Sequence, residues 1–185
     1  TSGADYISLQ DNFVLQNENI VRVLTNDGAA IKSVTLKKYK DNSRTREMEI
    51  IKPLTADHLP MSIPSVKVST NNKIEEIKLS ERRFEVINNS KDKAMFTTSL
   101  EGGVQLFKNI EFSPDKYHMT MDIVFKNNSD QNVACEYELI AASGIDYEGD
   151  QHTDIAAVVG INKGNGKYKL LKTNLKNLPE SNESV

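Results

Sequence analysis

Apolar residues recur at every second position along most of this chain, and that period constrains the fold more than any other feature. Tyr117, Met119, Met121, Ile123 and Phe125 alternate with His118, Thr120, Asp122, Val124 and Lys126. A strand sends successive side chains to opposite faces, so this run reads as a half-buried strand with one apolar face and His118 on the polar one. Val104, Leu106, Ile110 and Phe112 repeat the pattern, with Lys108 interrupting the apolar set. Val133, Cys135, Tyr137 and Leu139 make a further face, and Phe84, Val86 and the stretch from Ala94 to Leu100 behave alike.

Turn chemistry separates these runs. Asn26-Asp27-Gly28 follows the run from Ile20 to Thr25, Glu101-Gly102-Gly103 and Ser113-Pro114-Asp115-Lys116 join successive runs, and Asn127 to Asn132 is wholly polar. Glycine supplies positive φ, proline presets φ, and Asn or Asp side chains bond nearby backbone. Strands joined by short turns pair antiparallel, so Ala94 to Ala142 predicts a four-strand meander. Pro53 to Pro64 lacks periodicity and reads as an irregular connection, and Asp41 to Glu47 reads as a loop. Lys73 to Arg83 holds helix formers, but Ile74, Ile77 and Leu79 make no clean stripe; a short helix is the most it supports. The expectation is an all-β, antiparallel sandwich with at most short helices. Residues 13–173 form the sandwich, 1–12 a lead-in whose Thr1-Ser2-Gly3 reads as a cloning remnant, and 174–185 a polar tail.

Composition narrows the function classes. Lys and Arg number 23 against 26 Asp and Glu, and the basic residues are scattered, which gives no footprint for nucleic-acid binding. The densest basic group, Lys37, Lys38 and Lys40, reads as a solvated turn rather than a lipid anchor, which takes a larger cluster. The longest apolar stretch, Ile155 to Ile161, falls far short of the ~20 residues of a transmembrane helix. Cys135 is the only cysteine, which excludes an intrachain disulfide and a cysteine-rich zinc site; its alternation with Val133 and Tyr137 reads as burial.

Candidate chemistry is sparse. The histidines are His58, His118 and His152, and no spacing requires two of them to meet a glutamate for acid–base work. The acidic run Asp146 to Asp154 offers oxygen ligands for a hard cation, but Gly149 precedes Asp150, against the order of a calcium loop. Gly164-Asn165-Gly166-Lys167 lacks the spacing of a phosphate loop and reads as a hairpin turn between apolar runs. Sugar stacking needs exposed aromatics; there is no Trp, and Tyr39 and Tyr147 are the best candidates. No G-x-S-x-G elbow is present. No catalytic, cofactor-binding or metal-binding residue is therefore assigned.

Two stretches together resemble a known family. Glu18 to Tyr39 gives a strand, a turn containing Gly28, and a strand ending near Tyr39; Leu106 to Phe112, Tyr117 to Asn127 and Asn128-Ser129-Asp130 give a later hairpin. Their order and separation resemble the large periplasmic domain of the YidC membrane protein insertases, over about Phe13 to Ile161. The resemblance implies a β-supersandwich like that of galactose mutarotases, on the periplasmic face of the bacterial inner membrane. It implies a non-catalytic accessory role, with Sec translocon components and nascent membrane proteins as partners and no cofactor. In the family the domain follows a transmembrane anchor and precedes the insertase core; neither is in this chain. The family domain also ends in a helix, for which Leu175 to Val185 is too polar and too short. A mutarotase-like sugar-binding or sugar-epimerising protein is the alternative, and a His/His/Glu cluster in a concave sheet separates the two.

Overall fold

The alternating runs become paired strands in a computed structural model, which describes residues 12–52, 58–71, 73–113, 117–143, 156–162 and 168–174. The chain divides into two units, residues 1–147 and 148–185. In the first unit, β1 (Asn12–Gln16), β2 (Ile20–Thr25), β3 (Ala30–Lys40) and β4 (Glu47–Ile51) form one antiparallel sheet in chain order. Next, β5 (Ser65–Ser69) and β6 (Ile74–Lys78) open a second sheet. A third sheet runs β10-β9-β8-β7, from β7 (Glu85–Asn89) through β8 (Lys93–Ser99) and β9 (Val104–Phe112) to β10 (Met119–Asn127). Finally β11 (Ala134–Tyr137) pairs with β5. The second unit holds the antiparallel pair β12 (Ala156–Asn162) and β13 (Tyr168–Asn174), which flank Gly164 to Lys167; that expected turn lies outside the described residues.

All three sheets of the first unit share one core. Leu15, Ile20, Leu24, Ile31 and Val34 come from the first sheet, Val66 and Val68 from the second, and Phe96, Leu106, Ile110 and Phe112 from the third. Burying each such side chain contributes roughly 1.5–3 kcal/mol. Rings interlock between sheets: Phe13 meets Phe96 edge-on with centroids 5.9 Å apart, and Phe125 of β10 meets Tyr137 of β11 at 5.2 Å. This is the expected all-β antiparallel sandwich.

One expectation needs correction. The meander from Ala94 to Ala142 holds for β8, β9 and β10 but not for the fourth strand. After Asn127 the polar linker folds on itself: the Asn127 side chain accepts the Ser129 N–H at 2.9 Å and donates to the Gln131 carbonyl at 2.7 Å. That Asx turn redirects the chain into the second sheet. Lys73 to Arg83, where at most a short helix was allowed, forms none; Ile74–Lys78 is β6, with Ile77 inward and Ile74 at 74% exposure. Pairing with β5 overrides helix propensity, which is a weak local preference. Among the described residues the only helical segments are single turns, such as Glu101–Gly103. There Gly102 and Gly103 take φ of 70° and 75°, which side-chain-bearing residues rarely adopt.

Candidate functional site

The residues singled out for chemistry do not converge. His118 is exposed just ahead of β10, not within it, and its carbonyl accepts the Ser113 N–H at 3.2 Å. His58 is exposed before β5, and its carbonyl accepts the Ser143 hydroxyl. It lines an open groove of about 730 Å³ with Ser65, Glu76, Lys78 and Glu138. That grouping was hidden in the sequence, because its members come from three separate segments. His152, Tyr147 and the run Asp146 to Asp154 lie outside the described residues. Among the described residues no set of three His, Cys, Asp or Glu is placed to hold a metal ion. Cys135 is half-buried against the core, and burial pushes its thiol pKa up, which makes it a poor nucleophile.

The residue that broke the alternation of β9 is the centre of the best-built polar site. Lys108 occupies an inward position between Leu106 and Ile110 and is 0% exposed. An ammonium buried without partners would cost several kcal/mol. Here its three N–H donors meet three carbonyls: Ala29 at 2.5 Å, Met61 at 2.5 Å and Gly28 at 3.3 Å. Burial pushes the amine pKa down to about 7, while the carbonyls favour the charged form and oppose that shift.

The acceptors exist because the β2–β3 turn is tight. Gly28 has φ 68° and Ala29 φ 48°. A Cβ on Gly28 would come within 2.9 Å of the Ser80 carbonyl oxygen, so only glycine fits there. The turn is fastened from outside as well, with Gly28 N–H donating to Arg82 O and Phe84 N–H to Asn26 O, both at 2.9 Å. Lys108 thus ties the β2–β3 turn and the Leu59–Ile63 segment to the third sheet. Arg22 is a second inward base, 3% exposed, with its guanidinium 4.1 Å from the Phe112 ring centroid. Desolvation lowers its pKa to about 10, so it remains charged at neutral pH and its contact with the Phe112 ring is cation–π. Both bases are buried and organise the core.

An open apolar hollow lies on the other side of the third sheet. Val124 stands opposite Phe107, and Asp122 opposite Asn109, which in turn faces Met95. Met95, Phe107 and Val124 form an apolar floor, with Asn109 and Asp122 beside it, in an open hollow of about 510 Å³. Val124 is 51% exposed. Asn109 Oδ1 is buried with no hydrogen-bond partner among the described residues. Beside this floor β10 pairs only with β9 among the described residues, over nine positions without a bulge. An unbroken edge strand offers backbone donors and acceptors to another extended chain. The signal was present in the sequence as Phe107 and Val124, apolar residues out of phase with their strands.

Comparison with known proteins gives one match. The model of the family described as the YidC periplasmic domain matches residues 13–182. No curated protein and no solved structure matches the chain.

Proposed function

The chain belongs to the YidC periplasmic domain family, and we propose that it is a non-catalytic accessory domain of a membrane protein insertase that holds extended polypeptide segments. Its place is the periplasmic side of an inner-membrane protein. The proposed clients are nascent membrane proteins, with Sec translocon components as further partners. The observation that carries this reading is the juxtaposition on one sheet of an unbroken edge strand, β10, with the apolar floor of Met95, Phe107 and Val124. An added strand would gain main-chain hydrogen bonds from the edge and place every second side chain over the floor. A photocrosslinking amino acid at Val124 in the full-length insertase should capture inserting chains, and one at Ile74 on β6 should not. Equal capture at both positions contradicts the reading. Deleting the domain should leave insertion largely intact.

One observation favours the alternative of sugar binding or epimerisation: the groove where His58 lies with Glu76 and Glu138. A histidine and a carboxylate suit proton transfer at a sugar ring. An aldose mutarotation assay decides it, since turnover lost in His58→Ala would establish catalysis.

A further inference from the structure

The β3–β4 hairpin concentrates positive charge in a chain that is acidic overall. Residues 37–46 hold Lys37, Lys38, Lys40, Arg44 and Arg46 against Asp41 alone, a net of +4 in a chain of net −3. The structure shows how the one acid is withdrawn from the surface. Asp41 accepts the Ser43 hydroxyl at 2.5 Å and the Arg46 Nε at 3.2 Å. Its backbone closes the same loop, through Arg44 N–H to Asp41 O at 2.8 Å and Asp41 N–H to Arg46 O at 3.0 Å. The Ser43 bond, with Arg46, holds the carboxyl below its ordinary range, so Asp41 stays ionised and paired with Arg46.

Four bases remain. Lys37 is occupied locally, donating to Gln16 Oε1 at 2.9 Å and to Asn17 O at 2.7 Å, but neither partner is a carboxylate. Lys38, Lys40 and Arg44 are exposed, and none makes an ion pair among the described residues. Glu47 stands across from Lys40 in the β3–β4 ladder without closing a bridge. Tyr39, between the two lysines in sequence, is 52% exposed. The ladder is broken between Leu36 and Lys40, so this end of β3 is freed from regular pairing. Arg44 has φ 58°, in the left-handed region that a non-glycine residue occupies only when the surrounding loop fixes it. The loop is therefore built to a shape that pairs its acid with Arg46 and leaves Lys38, Lys40, Arg44 and Tyr39 exposed at its tip.

We propose that the tip of the β3–β4 hairpin is a docking site for the anionic phospholipid surface of the inner membrane, with Lys38, Lys40 and Arg44 facing headgroup phosphates and Tyr39 at headgroup level. Charge complementarity selects the occupant. Clusters of this kind attract anionic lipid with about 1 kcal/mol per base, and tyrosine favours the membrane interface. The inference rests on the family's position beside that membrane, not on the polypeptide-binding reading. The affinity is modest, and a domain held near the bilayer needs no more, because tethering raises the effective concentration. Docking would fix which side of the domain faces the lipid.

The test uses the chain as it stands, with vesicles of phosphatidylglycerol and phosphatidylcholine in equal parts and vesicles of phosphatidylcholine alone. Flotation of the unmodified chain should succeed with the anionic vesicles at low salt and fail at high salt or with the neutral ones. Removing charge by Lys38→Gln, Lys40→Gln and Arg44→Asn should weaken binding roughly fivefold for each base and on the order of a hundredfold for all three. Asparagine is chosen at position 44 because it tolerates positive φ. The chain has no tryptophan, so Tyr39→Trp places a single reporter at the tip, whose emission should shift to the blue with anionic vesicles. Val124→Trp serves as the comparison and should not shift. No flotation of the unmodified chain at low salt, equal binding to neutral vesicles, or a shift at position 124 instead of 39 would each overturn the proposal. The partner surface can fail its crosslinking test without touching this result.

Discussion

Strands β9 and β10 are both nine residues long, pair residue for residue from Val104 with Asn127 to Phe112 with Met119, and carry the same alternating sequence. Their burial differs. Every core-side residue of β9, Lys108 included, is buried, whereas Met119, Met121, Ile123 and Phe125 of β10 are only half-covered. The difference comes from position. β9 lies between β8 and β10, while among the described residues β10 has one neighbour. Alternation therefore tells which way a side chain points and is silent on how deeply it is covered. In this sheet the central strand is sealed into the core, and the edge strand keeps half of its apolar face and one row of backbone groups uncovered among the described residues.

Four substitutions and one pH series can break or sharpen this contrast. Ile110→Ala on β9 should cost about 2–5 kcal/mol, through lost burial and the cavity left behind. Lys108→Met keeps the volume but leaves three buried carbonyls without their donor, and should cost about 2–3 kcal/mol; urea unfolding as late as in the unmodified chain would show that the buried amine ties nothing together. The same residue predicts a pH dependence. Its folded pKa is about 7, below the ordinary lysine value, so between the two the unfolded chain binds more protons. Stability should therefore rise with pH across that window, by at most ~1.4 kcal/mol per unit, and be lost as pH falls towards 7. Subtracting the profile of Lys108→Met removes the other titrating groups, and a flat difference would refute the shift. On β10, Ile123→Ala should cost only about 1 kcal/mol, since half its surface cost was never recovered. If it matched Ile110→Ala in denaturant midpoint, the edge would be as covered as the centre. Smallest of all, Val124→Lys should change stability by less than about 0.5 kcal/mol, as exposed substitutions do. It should nevertheless reduce polypeptide crosslinking at the third sheet.

Much of this fold was legible because its evidence is local. The period-two runs located β8, β9 and β10, and Gly102 and Gly103 marked the turn between the first two. The destination of β11 was not legible, since an Asx turn at Asn127 sends the next strand to any edge within reach. Lys108 was visible only as a fault in the pattern. Whether an in-phase lysine is sealed or forces its strand outward depends on acceptors 79 and 80 residues away, at Ala29 and Gly28, and these are set by a turn geometry unrelated to β9. The His58 groove was hidden for the same reason. Lys38 and Lys40 are exposed, as a solvated turn requires, but the pairing of Asp41 with Arg46 that leaves the hairpin tip basic appears only in three dimensions.

The reach of Lys108 has a consequence for how the domain matures. A polypeptide delivered to the periplasm amino end first exposes the carbonyls of Gly28 and Ala29 long before their donor emerges. Strands β1 to β4 can pair locally, yet the layer they form must wait, unfastened, for most of the unit to arrive. Contacts so distant along the chain set a slow folding clock. During that interval the young domain is itself an incompletely folded client of the compartment in which it comes to serve.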